Sequence, residues 1–574
     1  MSFLIAFGIG LDAPLVERAQ RSCTKGWLLR TAQHLSVVSL RDPSICEYFE
    51  DESGMGLLVA TPAVKGRWES PRAIGVEEYC GVLVTKGRDT RLFRDHVGTR
   101  PLYFCRHEGC WLASTETRVL LSMIGAAVAD LKTVAVLLQP AHAFQCPPDR
   151  TGFVGIWRVP PGHTAVLKDD GLVNFERDWL PECVRVDQGI SFRDAIDETR
   201  RLFLRAISRR VPPKSLVGCH MSGGLDSTTI ALASKELTSS VHCFSWTMDG
   251  YHGPESDELG RIHRLGAAKG LQVSLLSEEF LHEEVCRLHD LDPVEFPRIS
   301  TGLELAIMRQ ASELGVARML SGWGGDEGIS FGGEGFSIDF LMRGKLKLAI
   351  RRFWRRDGES VMTSLCHLPR RIRKELLSLL LSQANVRRRS TLCCASAALR
   401  RRYQIKWSSD QMLAAAPGVH AMQLRFFRAG FLAERMEAWW CHGRRFGLDY
   451  CYPLLDRELL EFTLRIPGEF FFRAGKTRAI FREVARPFWE PESVDIDLKA
   501  DHCLHSRFPE LKLQEAPHDD AVGLEEFVDR NALAELYRQS PPGWHKVVFA
   551  IALLRRCGGR VKHWKEAENV SCIA

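Results

Sequence analysis

Short apolar runs alternate with turn residues over the first third of the chain. Examples are Gly81–Thr85, Trp111–Ala113 and Thr164–Leu167, which are separated by stretches containing Gly, Pro and Asp. Short runs of this kind, bounded by turn residues, are typical of β-strands. The pattern predicts a sheet-rich first domain over residues 1–185, with a connecting stretch at Pro181–Gly189.

The periodicity changes after this stretch. Apolar residues recur at helical spacing over Ile190–Arg210, and the continuous apolar run Leu216–Met221 is typical of a buried parallel strand. A helix over Thr228–Leu237 and a strand over Val241–Trp246 complete a strand–helix–strand unit. Such a unit predicts a parallel sheet that binds ligands at the carboxyl ends of its strands.

A second apolar run, Ala317–Ser321, leads directly into the glycine-rich loop Gly322–Glu327. From Asp339 onward the pattern is mostly helical, and the chain contains no internal repeat. We therefore expect an α/β second domain over residues 190–574, built from a parallel sheet and a helical tail.

Two glycine loops carry the candidate chemistry. Ser222–Ser227 reads Ser-Gly-Gly-Leu-Asp-Ser between a predicted strand and a predicted helix, where backbone N–H groups bind phosphates. It is not a Walker A loop, because no lysine follows the glycines. Asp226, and Asp326 in the second loop, would repel a bare polyphosphate, but together they suit Mg²⁺ held against it. Either loop alone is also compatible with an ordinary turn, which Gly and Asp often form.

Composition narrows the class of protein. The 574 residues are 45% hydrophobic and 26% charged, as in soluble globular proteins. No apolar run approaches the roughly 18 residues needed to cross a bilayer. The N-terminus lacks a basic segment and a cleavage site, so it is interpreted as a first strand. The 18 cysteines are scattered without zinc-site spacing, which favours buried thiols in a reducing cytoplasm.

The net charge of +6 is unevenly distributed. Residues 341–406 contain eighteen Lys and Arg against three Asp and Glu, and they are interpreted as a basic helical insertion. Solvated helices explain such a stretch, and a docking surface for an acidic partner explains it as well. Nucleic acid is not favoured, because no nucleic-acid-binding motif accompanies the charge.

The Ser222–Ser227 loop resembles the pyrophosphate-binding loop of the glutamine-hydrolysing asparagine synthetase family, which cleaves ATP between the α- and β-phosphates. Phe93–Phe104 and Gly155–His163 resemble that family's N-terminal glutaminase domain, and Tyr452–Arg457 and Phe481–Ala485 resemble its synthetase helices. The resemblance implies an αββα, Ntn-hydrolase-like first domain and an ATP pyrophosphatase second domain, with ATP and Mg²⁺ as cofactors.

The resemblance also implies roles for individual residues. Asp226 and Asp326 would hold magnesium. The cation that stabilises the adenylate-forming transition state would be Arg478, three residues before Phe481, or the neighbouring Lys476. Candidates for the base that deprotonates the amine are Glu434, Glu437 and Asp449. The residues expected around ATP are Met221, Ser222, Gly223, Gly224, Leu225, Asp226, Ser227, Trp246, Ser321 and Gly322.

Two positions depart from the family. Members that hydrolyse glutamine carry cysteine after the initiator methionine, whereas this chain has Ser2, a poor nucleophile without a strong base. Trp323 replaces a glutamate of the second loop and cannot accept a proton. Both departures favour an amine that belongs to the substrate and a first domain that has lost glutaminase activity.

The Gly322–Glu327 loop looks most like that of the lasso peptide cyclases, which are macrolactam synthetases. The resemblance implies that a side-chain carboxylate of a precursor peptide is adenylated and that the peptide's N-terminal amine displaces AMP. It also implies a leader-binding protein and a cysteine protease as partners, and no nucleic acid or membrane. The alternatives are an ammonia-dependent asparagine synthetase, a small-molecule lactam synthetase and an inactive scaffold.

Overall fold

A computed structural model describes the parts of the chain from which the fold is built. These are residues 3–7, 28–32, 35–39, 46–51, 54–61, 78–85, 89–125, 127–138, 148–211, 216–238, 240–246, 265–266, 270–276, 302–332, 340, 344, 345, 347, 393–402, 418–428, 431–489, 494, 524–539, 547, 550, 551, 553–555, 557, 561 and 562. Ser2 and most of the basic stretch 341–406 lie outside them.

Thirteen of the described strands belong to the first part of the chain. They are β1 (Phe3–Phe7), β2 (Leu28–Ala32), β3 (Leu35–Ser39), β4 (Cys46–Asp51), β5 (Gly54–Thr61), β6 (Glu78–Thr85), β7 (Thr90–Arg94), β8 (Tyr103–His107), β9 (Cys110–Ser114), β10 (Ala129–Asp130), β11 (Ile156–Arg158), β12 (His163–Leu167) and β13 (Val173–Arg177). The three strands predicted from alternation fall within β6, β9 and β12, which confirms them.

Twelve of these strands form two antiparallel sheets. The first has the order β11-β8-β9-β1-β3-β2, and the second has the order β13-β12-β7-β6-β5-β4. One apolar cluster joins the sheets, with Phe104 and Trp111 from the first and Val82 and Leu92 from the second. Each sheet thus buries one face against the other. This confirms the prediction of a sheet-rich first domain.

A parallel sheet organises the second part of the chain. Its strands are β14 (Val217–His220), β15 (Val241–Trp246), β16 (Gln272–Leu276), β17 (Arg318–Leu320) and β18 (Asp449–Cys451). The order is β16-β15-β14-β17-β18, and all four pairings are parallel. From β14 the chain extends the sheet through β15 and β16, and it then adds β17 and β18 on the opposite side of β14. The change of direction, called the topological switch, therefore lies between β14 and β17. Ligands of open α/β sheets bind at this point.

The described helices are α1 (Thr117–Ile124), α2 (Leu131–Leu137), α3 (Phe192–Ser208), α4 (Leu225–Leu237), α5 (Gly302–Glu313), α6 (Ala397–Arg402), α7 (Val419–Arg428), α8 (Phe431–Arg445), α9 (Arg457–Arg465), α10 (Ala479–Ala485) and α11 (Arg530–Gln539). Two short hairpin strands, β19 (Phe472–Arg473) and β20 (Lys476–Thr477), precede α10, and β21 (Val561–Lys562) follows α11.

The helix after the first glycine loop begins three residues earlier than predicted. Gly224 is its N-cap, with φ −71° and ψ 162°, so Leu225 is already helical. A prediction based on apolar spacing alone places the start at Thr228, because Leu225 and Asp226 do not show the helical repeat of apolar residues. The earlier start brings Asp226 into the first turn of α4.

Residues from the two sides of the predicted domain boundary pack against each other. Val547, Ile551 and Leu554 join α1 and α2 in one apolar cluster. β10 pairs in parallel with β21, which aligns Ala129 with Val561. The C-terminal segments therefore pack onto the first part of the chain, while the division at residues 185–190 stays a prediction.

None of the helices in the described part of the chain combines the length and the apolar character that a bilayer crossing requires.

Candidate active site

The first glycine loop leaves the sheet at the carboxyl end of β14. The backbone N–H of Met221 donates to the carbonyl oxygen of Phe244 on the neighbouring strand at 2.9 Å, so the loop begins only after Met221. Gly223 has φ +75°, a conformation that only glycine adopts at low cost. The Ser222 and Ser227 hydroxyls lie 3.0 Å apart, which closes the loop into a compact turn.

The start of α4 gives this loop its electrostatic character. Its first N–H groups have no helical partners, and the helix dipole places partial positive charge at this end. The 13 residues of α4 run away from the carboxyl edge of the sheet. Together with the two serine hydroxyls, the turn is therefore suited to bind a polyphosphate.

The second loop follows β17, the strand next to β14. Gly324 has φ +91°, and the N–H of Gly328 donates to the Gly324 carbonyl oxygen at 2.9 Å. The N–H of Ser321 donates to the Cys451 carbonyl oxygen on β18 at 3.0 Å. These bonds hold the loop against the sheet edge, between the first loop and the segment that follows β18.

The two loops are in direct contact. A Cβ at Gly322 would lie 2.7 Å from the Ser227 nitrogen, and one at Gly325 would lie 2.6 Å from the Asp226 carboxyl carbon. Real Cβ atoms do not approach other atoms this closely, so a side chain at either position would force its neighbour to shift, and at Gly322 that neighbour is backbone. The glycines of the second loop thus let it pack against the start of α4, and this contact brings the two aspartates together.

Arg478 joins the aspartates. One guanidinium nitrogen donates to Asp326, and the other lies 3.6 Å from a carboxylate oxygen of Asp226. Arg478 caps α10 with φ +58°, a left-handed conformation that is uncommon for arginine. The Asp326 side chain is 51% exposed, whereas that of Asp226 is 14% exposed. The prediction that both aspartates converge at one sheet edge is therefore confirmed.

Lys476, the other candidate cation, lies half-buried in the hairpin before α10, opposite Arg473. The described contacts favour Arg478 as the cation of the site. Which of the two acts in catalysis stays a prediction.

The aspartate pair fits magnesium of the kind that accompanies a nucleotide. Within the described ranges, no group of three or more His, Cys, Asp and Glu side chains could hold a metal. Mg²⁺ in nucleotide enzymes is bound by one or two carboxylates together with substrate phosphates and water. Asp226 and Asp326 provide this number, and Arg478 offsets part of their negative charge.

Other residues predicted around ATP have varied environments. Met221 is fully buried in the core of the second part of the chain, so its backbone is the part of it nearest the loop. Ser321 is almost fully buried, and Leu225 and Gly322 are half-buried. Trp246 ends β15, and its side chain lies outside the described residues. Their roles in binding ATP stay predictions.

Trp323 belongs to a polar aromatic cluster that the sequence did not reveal. The Arg435 guanidinium lies 4.6 Å from the centre of the Trp323 ring and 5.2 Å from that of Trp439. One oxygen of Glu304 accepts from Arg435, and the other accepts from the Trp439 indole N–H at 2.9 Å. A signal was available, since Trp439 and Arg435 are four residues apart on one helix face.

His220 lies on the far side of the same cluster. Its ring stacks on Trp439 with centroids 5.3 Å apart, and Nε2 lies 3.2 Å from the Tyr450 hydroxyl. Burial, and then the charge of Arg435, lower the pKa of His220 to about 4. The imidazole is therefore neutral near pH 7.

Two of the candidate bases lie in an interface between the two parts of the chain. Asp449 accepts from Arg100 at 2.8 Å, and Glu437 lies 2.9 Å from Arg94. Glu434 is buried in α8. The arginine contacts give Asp449 and Glu437 a structural role, and a role as base stays a prediction.

The family model described as asparagine synthase matches residues 198–551. The chain belongs to the asparagine synthase family. The matched range includes both glycine loops, Arg478 and the segment after β18. The family predicted from the loop and its companion segments is thus confirmed, whereas the lasso peptide cyclase subtype stays a prediction.

Relatives within this family cover part of the chain. Asparagine synthetase [glutamine-hydrolyzing] 3 of Bacillus subtilis is 30% identical over 161 residues, which is 26% of this chain and 25% of the relative. The carboxyethyl-arginine beta-lactam-synthase of Streptomyces clavuligerus is 26% identical over 264 residues, which is 44% of this chain and 45% of the relative. The chain thus spans less than half the length of each. Both names describe enzymes that form carbon–nitrogen bonds.

A solved structure of glutamine phosphoribosylpyrophosphate amidotransferase from B. subtilis, complexed with ADP and GMP, is 10% identical. The overlap covers 42% of this chain and 65% of that chain with a TM-score of 0.20. An overlap of this quality adds nothing to the assignment.

Proposed function

We propose that the chain is an ATP-dependent carbon–nitrogen ligase that closes a macrolactam ring within a precursor peptide. The observation that carries the proposal is the contact of Asp226 and Asp326, from two separate loops, with one guanidinium. Two carboxylates, one arginine and a helix N-terminus at one sheet edge suit a metal-bound triphosphate and a reacting carboxylate.

In the proposed first step, a carboxylate oxygen of the peptide attacks the α-phosphorus of ATP. The bond between the α-phosphorus and the bridging oxygen breaks, and pyrophosphate leaves with both electrons of that bond. The N–H groups at the start of α4 and the Ser222 and Ser227 hydroxyls would bind the departing phosphates. Asp226 and Asp326 would hold Mg²⁺, which supplies positive charge for the leaving pyrophosphate.

Arg478 has its own part in this step. A guanidinium keeps its charge at all accessible pH values and can bind two oxygens at once. It would neutralise the charge that builds up between the attacking carboxylate and the α-phosphate, where fixed charges act most strongly.

In the second step, the N-terminal amine of the same peptide attacks the acyl carbon. The bond from that carbon to the AMP oxygen breaks, AMP leaves, and the nitrogen loses a proton to a carboxylate or to water. Trp323 and Ser2 support an amine that belongs to the substrate. Tryptophan cannot accept a proton, and a serine hydroxyl without a strong base is a poor nucleophile for cleaving glutamine. A leader-binding protein and a cysteine protease are proposed as partners that deliver the trimmed peptide.

A small-molecule lactam synthetase is the second candidate. It is favoured by the similarity to a relative named as a beta-lactam synthase, which covers 44% of this chain. An ammonia-dependent asparagine synthetase is a third.

Exchange of labelled pyrophosphate into ATP separates these candidates. We expect exchange to depend on a peptide with a free N-terminal amine and a side-chain carboxylate, and to be lost in Asp226→Ala. Aspartate-stimulated exchange in the absence of peptide would contradict the peptide substrate while leaving the ligase chemistry intact. Full product formation by Asp226→Ala would favour an inactive scaffold and contradict catalysis by this chain.

A further inference from the structure

The second glycine loop rests on the segment that follows β18. A Cβ at Gly324 would lie 2.2 Å from Cδ2 of Leu455, and one at Gly325 would lie 2.9 Å from Cδ1 of Leu454. Leu454 and Leu455 belong to the one-turn 3₁₀ helix Pro453–Leu455, and both are buried. The position of the loop that carries Asp326 is therefore set by this short turn.

The first domain holds the same segment through the backbone. Nε2 of His96 lies 2.7 Å from the Leu455 carbonyl oxygen, and a Glu78 carboxylate oxygen accepts from the Tyr452 N–H at 2.8 Å. Arg100 donates to the Tyr450 carbonyl oxygen at 3.1 Å. Three residues of the first domain thus bind the backbone before and after Pro453.

His96 is itself held rigidly. Asp95, the preceding residue, accepts from the N–H groups of Val97, Gly98 and Thr99, which fixes the turn from which His96 projects. The His96 ring packs edge-on against Trp179 with centroids 5.1 Å apart. Because a carbonyl oxygen only accepts hydrogen bonds, Nε2 carries the proton and donates it.

We propose that His96 is a positioning residue for the nucleotide site, acting through the Leu455 carbonyl to hold the Gly322–Glu327 loop against α4. The first domain then has a structural role that needs neither Ser2 nor glutamine, because it fixes the position of the Gly322–Glu327 loop at the ATP site. The proposal rests on the ATP-dependent ligase part of the proposed function and is independent of the peptide substrate.

Matched variants separate the hydrogen bond from the ring packing. His96→Phe keeps the aromatic contact with Trp179 and removes the donor, whereas His96→Gln keeps an N–H donor at a similar reach. His163→Phe is the control, because Nδ1 of His163 lies 2.7 Å from the carbonyl oxygen of Pro161 within the first domain itself.

The first measurement is hydrogen exchange of the ligand-free protein. The amides of Gly325, Gly328 and Ser330 donate to carbonyl oxygens of the second loop. We expect His96→Phe to speed their exchange about tenfold, the size of effect expected when one buried hydrogen bond is lost. Exchange in β6 and in the second half of α4 should stay at the wild-type rate, as should the loop amides of His96→Gln and His163→Phe.

The second measurement is calorimetric binding of a magnesium-bound, non-hydrolysable ATP analogue. We expect the dissociation constant to rise about tenfold in His96→Phe, to recover in His96→Gln, and to stay unchanged in His163→Phe. No peptide is present, so a wrong peptide assignment does not alter these results. If the analogue fails to bind the wild-type protein, the proposed ligase function fails and the loop exchange rates still test the positioning role.

Wild-type loop exchange and wild-type affinity in folded His96→Phe would overturn the proposal. If His96→Phe does not fold, His96→Asn, whose shorter amide does not reach Leu455, is measured in its place. Loss of folding in both variants would assign His96 to the stability of the whole domain interface and would also overturn a local positioning role.

Discussion

Two clusters of arginine and carboxylate side chains use the same chemistry in opposite surroundings. The loop cluster consists of Asp226, Asp326 and Arg478. The interface cluster consists of Glu78, Arg100, Arg210, Asp449 and Asp456. Asp326 of the loop cluster is 51% exposed, whereas no side chain of the interface cluster exceeds 8%.

Because of this difference in exposure, the carboxylates of the loop cluster can exchange their partner for a ligand, whereas the ion pairs of the interface cluster are permanent. Burial alone would lower the pKa of Arg100, but Asp449 and Glu78 outweigh it and raise that pKa above its usual value. A buried pair of this kind cannot change partners without leaving a desolvated charge. In the loop cluster, water and a ligand can reach Asp326, so a metal ion can share the carboxylates with Arg478.

Breaking the interface cluster should strongly destabilise the fold. Glu78→Ala removes the carboxylate that lies 2.9 Å from Arg210 and 3.5 Å from Arg100. We expect a loss of about 3 kcal/mol or more in the free energy of unfolding, because two buried guanidinium groups lose a partner. Urea unfolding measures this loss.

Glu176→Ala is the control for Glu78→Ala. Glu176 forms an ion pair with Arg91 in the same domain, but both side chains are more than 40% exposed. Exposed pairs contribute about 1 kcal/mol or less. Equal losses in the two variants would contradict the division into exchangeable and permanent pairs.

The rate of pyrophosphate exchange in two variants identifies the catalytic cation of the loop cluster. Arg478→Met should slow pyrophosphate exchange about a hundredfold, since it removes the positive charge that is proposed to stabilise the reacting phosphate. Lys476→Met should slow it much less, because Arg478 contacts both aspartates and is therefore placed to act at the same point as the metal. The reverse order would show that Lys476 is the catalytic cation and that Arg478 is structural.

A smaller effect concerns the pH dependence of stability and comes from His220, which belongs to neither cluster. Its folded pKa of about 4 is below the unfolded value of about 6.5. The unfolded protein therefore binds more protons between these values, and the free energy of unfolding falls as the pH is lowered through this window. Below about pH 4 the fall attributable to His220 levels off.

His220→Phe isolates this contribution, because it keeps a ring against Trp439 and removes the titrating group. We expect the variant to lose less stability than the wild type between pH 6.5 and pH 4, measured by urea unfolding at several pH values. Parallel pH profiles for the two proteins would show that His220 is not the titrating group.

The elements that carry the loop cluster were predictable from local sequence. β15 matches its predicted bounds, and β14 lies within its predicted run. The convergence of Asp226 and Asp326 followed from placing each at the carboxyl end of a parallel strand. These inferences succeeded because strand periodicity, glycine and the helix start all act over a few residues.

The interface cluster was not predictable in the same way. Arg100 and Asp449 are 349 residues apart in the chain, and Arg210 and Glu78 are 132 apart. In sequence such residues look like ordinary surface charges, since charged side chains are rarely buried without a partner. Only the folded chain shows that Asp449 and Glu437, considered as bases, are held by arginines.

Asp226 and Asp326 are proposed to act together on one metal-bound triphosphate. The most direct test is calorimetric binding of a magnesium-bound, non-hydrolysable ATP analogue to Asp226→Asn, Asp326→Asn and the double variant. If both carboxylates bind one ion, each single change should weaken binding about tenfold or more, and the double change should weaken it little further. Wild-type affinity in either single variant, or losses that simply add in the double variant, would contradict a shared site.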